Sequence, residues 1–348
     1  MRTVISSVGC LLLLSQLAAA HVVYDLPKLI DDSQLVAVVQ VVSVVQSGSG
    51  TISFPDSRNS IPAHFRVATL HGRETLKGAL PSGDLVVPYT ILYQNAGWAG
   101  GVPAGYTIND TLSPGSVRLV FLEKAGDSYH FTNGAYLSVV CSPDPPADGE
   151  ADDPLGRVVS RIAGTLFSEK ISDDAKAEAI YQLRQVRSAS AAASLKVFLQ
   201  SEKARKNDML RTEAIGALLM QKDDSALDMA VQELEGHNTA SQANLLFALS
   251  SAFAPSRSIS ILARALGSSN RETRRYAAIA IYQTGSRLSI PPLLAALDDP
   301  DPEVAFAVMQ GLGNVTAAYE WRPKSAKPNS DWIRCLNHWR EYRQEAAK

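Results

Sequence analysis

The chain has 348 residues, 20% of them charged and 46% hydrophobic, with a formal net charge of -2. That length fits two ordinary domains, and the hydrophobic share lets most of the chain bury a core. The near-neutral balance excludes the strongly basic footprint of a nucleic-acid binder.

The first twenty residues, MRTVISSVGCLLLLSQLAAA, place Arg2 ahead of an apolar run through Leu14 and end on Ala18, Ala19 and Ala20. This is the layout of a secretory signal with an A-x-A cleavage site, so residues 1–20 read as a signal peptide and the protein as secreted or periplasmic. Cys10 does not read as a lipid-anchor site, because Ser7 stands where an aliphatic residue belongs. No other stretch reaches the ~18 apolar residues of a membrane span. LVAVVQVVSVV (35–45) is short and carries Gln40 and Ser43. Cleavage after Ala20 starts the mature chain at His21, whose amine and imidazole together could clamp copper. His64, His71 and His130 fall in the same half, but without H-x-H or H-x₃-H spacing, and the reading assigns no metal and no cofactor.

From Leu35 to Cys141, valine, isoleucine, threonine and aromatics come in short runs split by glycine, proline, serine and asparagine, which is strand-and-turn punctuation. Strands are expected near Leu35–Val45, His64–Thr69, Asp84–Thr90, Val117–Glu123, Tyr129–Thr132 and Tyr136–Val140. Hairpin turns are expected at KAGDS (124–128) and TNG (132–134). Five or six strands in about 110 residues suit a small barrel or sandwich. SQLVAVVQVVSV, FRVATLHGRETLKG and SVRLVFLEKAGDSYHF resemble bacterial members of the netrin-like family, which includes the tissue inhibitors of metalloproteinases. The resemblance covers about residues 30–140 and implies an OB-type β-barrel for the domain 21–141. It also implies an action on proteases, although the zinc-chelating N-terminal cysteine of the best-known inhibitors is replaced here by His21. The glycine-rich GWAGGVPAGY (97–106) lacks the strand before and helix after that a phosphate cradle needs, and reads as a loop. Trp98 at its tip is either a binding aromatic or folded back onto the barrel.

SPDPPADGEADDP (142–154) is acidic, proline-rich and without a large apolar residue, so it reads as a linker. Beyond it alanine and leucine recur at helical spacing. LGRVVSRIAGTL puts Leu155, Val158, Val159, Ile162 and Leu166 on one face. Helix pairs follow: AKAEAIYQL with AAASLKVFL, LRTEAIGAL with SALDMAVQEL, SQANLLFAL with SISILARAL, and RETRRYAAIAI with SIPPLLAAL. Leu183, Leu218, Leu249, Ile281 and Leu312 hold equivalent places, spaced 35, 31, 32 and 31 residues. Such a period means a stacked helical solenoid, here 155–348. DDPDPEVAFAVMQGLGNV and SSNRETRRYAAIAIYQTG resemble the short HEAT-like repeats of the phycobilisome-lyase type, and the resemblance covers about 174–315. The fold class expected is thus two domains with β and α segregated. SDWIRCLNHWREYRQEAA opens with Ser330 as N-cap and reads as a capping helix over 330–346. Its Trp332, Leu336, Trp339 and Tyr342 share a face that either packs on the last repeat or forms a partner-binding stripe.

Cys141 precedes the array and Cys335 lies in its last helix. Stacked helix pairs advance about 10 Å each, and a disulfide needs Cα atoms within about 7 Å, so two separate thiols are expected.

Basic residues cluster at Lys203, Arg205 and Lys206 and at Arg271, Arg274 and Arg275. In a solenoid one helix of each pair lines the concave side, where partners bind. Arg274 and Arg275 are candidate binding residues there, together with Trp98, and the sequence does not choose between the two arginines. There is no G-x-S-x-G, H-E-x-x-H, P-loop or Cys-x-x-Cys, so no catalytic residue is named. The function expected is an exported, non-enzymatic scaffold with a protein partner on the solenoid. The alternative is a protease inhibitor or accessory protein acting through the β domain.

Overall fold

A computed structural model describes residues 25–53, 60–92, 112–132, 138–144, 152–235 and 239–346. Two compact units divide between Val186 and Arg187.

The first unit opens with α1 (Leu26–Asp32), whose N-terminus is held by the Asp25 carboxylate accepting from the Lys28 amide at 3.2 Å. Six strands follow: β1 (Leu35–Ser53), β2 (Ser60–Lys77), β3 (Leu85–Leu92), β4 (Val117–Ala125), β5 (Ser128–Phe131) and β6 (Val139–Val140). They form one antiparallel sheet in the order β3-β2-β1-β4-β5, with β6 also on β4. Leu35, Ala37, Val39 and Val41 of β1 join Ala68, Leu70, Val87, Val120 and Leu122 in a core on one face. Val36 and Val38 are equally buried and belong to the other face. A strand covered on both sides reads as a continuous apolar run rather than an alternation, and LVAVV is such a run.

The second face is covered by helices. α2 (Pro154–Phe167) buries Val158, Val159, Ile162 and Leu166, and with α1 it meets β2, β4 and β6. Polar ties fix it there. Arg161, with its side chain 4% exposed, reaches Glu74 at 2.9 Å and donates to the Asp144 carbonyl at 2.7 Å. Arg157 donates to the Leu76 carbonyl at 3.0 Å, and Thr165 Oγ1 accepts from the Ser142 amide at 3.2 Å. These ties place α2 in the compact unit of the sheet, and α3 (Asp173–Gln185) joins it by packing on α2 and β6.

The expected OB-type closed barrel is corrected: the sheet is open. Among the described residues no ladder joins β3 to β5, although Tyr89 of β3 and Phe131 of β5 meet edge to face at 6.0 Å. β5 has four residues and β6 two, too few to pair along β3, and the face a barrel would turn outward carries helices. The first two strands also outrun their expected lengths. The chain stays extended through SGSG, where the Phe65 ring packs on the bare backbone of Gly48 and Gly50, 3.6 and 3.1 Å from where their Cβ atoms would be. At the β4–β5 hairpin Gly126 takes φ +63°, in the left-handed region its turn requires.

The second unit is helical: α4 (Ala189–Gln200), α5 (Glu202–Lys206), α6 (Asp208–Met220), α7 (Ser225–Glu235), α8 (Thr239–Ala252), α9 (Pro255–Ala265), α10 (Arg271–Gln283), α11 (Ile290–Ala295), α12 (Pro302–Thr316) and the terminal α13 (Ser330–Ala346). Leu218, Leu249, Ile281 and Leu312, the residues that mark the period, are fully buried. Cap chemistry repeats with the same period. Asn270 caps α10 by accepting from the amides of Glu272 and Thr273, and Asp301 caps α12 by accepting from those of Glu303 and Val304. No helix among the described residues is long and apolar enough to cross a membrane. Cys141 and Cys335 are free, buried thiols in different units.

Candidate binding surface on the helical repeats

The first helices of successive pairs, α6, α8, α10 and α12, pack directly on one another, whereas the second helices α7 and α9 barely meet. The first-helix row is therefore the closely packed layer of this unit.

One position on that row belongs to the fold. Seven residues before each period-marking residue stand Arg211, Gln242, Arg274 and Ala305. Arg211 donates to the carbonyls of Ala204 and Arg205, Gln242 to those of Glu233 and Leu234, and Arg274 to those of Ser268 and Ser269. Each side chain therefore satisfies carbonyls at the end of the segment before its own helix, where intrahelical partners run out. The two arginines add a carboxylate from the end of the next helix or just beyond it. Arg211 pairs with Glu233 at 2.8 Å, and Arg274 with Asp299 at 2.7 Å. Arg274, a candidate binding residue by sequence, is thus enclosed by internal partners.

Arg275 is placed differently. Its guanidinium lies 2.9 Å from Glu272, 3.8 Å from Glu303 of the next repeat, and 4.7 Å from the centroid of the Tyr276 ring. The Tyr276 ring in turn meets Phe247 of α8 edge to face at 6.1 Å. Arg275, Tyr276 and Phe247 are all half-buried. Around them Asn244 donates to Glu213 one repeat back. The result is a partly exposed ladder of aromatic, cationic and carboxylate groups that reaches across the four first helices α6, α8, α10 and α12. Such groups offer a partner flat apolar area, cation–π contact and charged hydrogen bonds at once. Phe247 was not singled out by sequence reasoning. It stands 32 residues before Ile279 and 31 after Gly216, so the repeat alignment marks its place but not its exposure.

The other candidates lie elsewhere. Trp98 and His21 fall outside the described residues. His64 contacts Ser49 at 2.6 Å and His71 contacts Asp84 at 2.8 Å, while His130 sits opposite Glu123 in the β4–β5 ladder. Among the described residues no three metal-ligating side chains gather. In α13, Trp339 and Leu336 are buried, and the Trp339 indole donates to the Trp321 carbonyl at 2.9 Å. Trp321 stacks on His338 at 3.9 Å and receives the Arg334 guanidinium at 4.7 Å. Arg340 and Arg343 both reach Asp298 at 2.7 Å, and Arg343 also donates to the Leu294 carbonyl.

Residues 227–313, from α7 into α12, match the family model described as HEAT repeats. A structure of human deoxyhypusine hydroxylase in complex with glycerol matches at 16% identity and a TM-score of 0.25, over 53% of this chain and 95% of that chain. A search of curated proteins returns no match. The expectation of a non-enzymatic protein is corrected by the structural match, because the matched protein is by its name an enzyme. At that similarity the match assigns no reaction to this chain, and helical repeats alone do not show one.

Proposed function

We propose that this is an exported interaction protein that holds a protein partner on the first-helix row of its helical repeats, around Arg275, Tyr276 and Phe247. HEAT repeats generally mediate protein–protein interaction, and stacked helical repeats offer extended concave binding surfaces. One observation carries the choice of site. Of two adjacent arginines, Arg274 is enclosed by Asp299 and two carbonyls, while Arg275 joins a half-buried aromatic ladder between repeats. Export is supported by the leader-like residues 1–20, and N-terminal sequencing of protein recovered outside the cytoplasm should begin at His21.

The binding reading is tested by placing a photo-crosslinking amino acid at Tyr276 and, as a control, at exposed Val197 on α4. A protein crosslinked from position 276 alone supports the site. Its affinity should then fall at least about tenfold for Arg275→Glu, consistent with a central anchor. Equal crosslinking from both positions, or an Arg275→Glu variant that binds normally, would place the surface elsewhere.

A further inference from the structure

β1 is paired by β2 along almost its whole length, from Val36 opposite Lys77 to Ser53 opposite Ser60. On its other side β4 pairs with it only from Leu35 to Gln40. The Val41 amide donating to the Ser116 carbonyl, and the Gly115 amide donating to the Val41 carbonyl, close that ladder. From Val42 to Ile52 no described residue pairs with this edge. The run VSVVQSGSGTI contains neither a charge nor a proline. Within it Val42 and Val45 are 50% and 60% exposed.

Open edges of this length are normally blunted by lysine, proline, bulges or a covering element. The opposite edge of the sheet is guarded in this way, since β3 carries Pro88 in mid-strand. β5, with four residues, is too short to template much pairing. On β1 the described residues show only bulges. The register shifts at Val41/Ser43 and Gln46/Gly48 leave two regular stretches, Ser43–Gln46 and Gly48–Ser53.

We propose that this edge is a homotypic pairing site, where β1 of one molecule adds antiparallel to β1 of a second copy across a two-fold axis. The charge pattern selects that occupant. A strand antiparallel to its own copy sets each residue opposite one from the same run, so any charge near the axis would face its like. This run has none over eleven residues, and both members offer the same alternation of backbone donors and acceptors. Eleven residues extend about 36 Å. A single strand pair of that length lies at the low end of specific interface sizes, so the association is concentration-dependent rather than obligate.

Sedimentation velocity of the full mature chain over a wide concentration series tests this. The wild type should pass from monomer to dimer, and Val45→Lys should raise the dissociation constant at least about tenfold. Val86→Lys puts the same charge on an equally exposed valine of β3 and should leave it unchanged. Circular dichroism melts confirm that both variants fold. Hydrogen exchange should show residues 43–52 gaining protection as concentration rises. A wild type monomeric throughout, equal weakening by both substitutions, or a dimer without protection at 43–52 would each overturn the proposal.

Discussion

Arg274 and Asp299 form a two-point ion pair, Nε to Oδ2 at 2.7 Å and Nη2 to Oδ1 at 3.1 Å, with Asp299 only 7% exposed. The neighbouring Arg275 is half-buried and meets carboxylates that are more open, Glu272 at 30% and Glu303 at 45% exposed. The two arginines should therefore respond oppositely to substitution. Arg274→Ala strands a buried carboxylate and two carbonyls and is expected to cost the helical unit about 2–3 kcal/mol. Arg275→Ala should cost under about 1 kcal/mol while weakening partner binding. Urea denaturation followed at 222 nm, beside a binding assay, separates the two. Similar stability losses for both would show that Arg274 is not the clamp.

Burial pushes the Cys141 thiol up to about 12. At pH 8 its thiolate fraction is then about a thousandfold below that of an ordinary thiol. Alkylation of the native protein followed by intact mass should leave Cys141 unmodified, and urea should expose it. The same shift couples to stability. The folded state holds this proton more tightly than the unfolded one, so the contribution is complete below about pH 8.5 and is lost as pH rises toward 12. Rapid native labelling at Cys141 would contradict the buried placement.

Arg343 and then Arg340 hold the Asp298 carboxyl below the usual carboxylate range. A depressed acid stabilises the fold above its unfolded value near 4, and that contribution is lost as pH falls through the folded value. Asp298→Asn should therefore be less stable than wild type at neutral pH, with the gap closing under acid. Thermal melts at several pH values, read by tryptophan fluorescence from the packed Trp339 region, measure it. A gap that does not change with pH would remove Asp298 from the docking of α13.

Gly78 ends β2 at φ +79°, and a Cβ there would stand 2.2 Å from the Gln34 carbonyl oxygen. Gly78→Ala combines a left-handed backbone with a backbone clash, and is expected to destabilise the sheet unit by about 2 kcal/mol or more. A thermal melt of the variant checks this. Wild-type stability would mean that the β2 exit can relax. The LKG segment noted in the sequence thus has a steric reason for its glycine.

The repeat period was readable because each first helix buries one residue at a fixed place, and Leu218, Leu249, Ile281 and Leu312 report it directly. The choice between Arg274 and Arg275 was not, because their roles depend on Asp299 and Glu303, 25 and 28 residues onward. The grouping of α2 with the sheet was hidden for the same reason. Its composition matches the helices after it, while its decisive partner Glu74 lies 87 residues before Arg161. Local preference ends the first strand at Val45, because it cannot see the Phe65 ring that packs on Gly48 and Gly50. Barrel closure depends on strand lengths at the far edges, which alternation patterns define poorly.

The clamp that recurs at Arg211, Gln242 and Arg274 stops at Ala305, and beyond it Arg340 and Arg343 of α13 grip Asp298 and the Leu294 carbonyl instead. Evolutionary change in array length is constrained accordingly. Whole periods can be gained or lost between equivalent positions, because each clamp reaches no farther than the neighbouring repeat, as Gln242 does in accepting from Thr273 Oγ1 of α10. An insertion out of phase would separate a clamp from its carbonyls. The terminal helix must travel with the last repeat, as the one element that replaces the missing clamp.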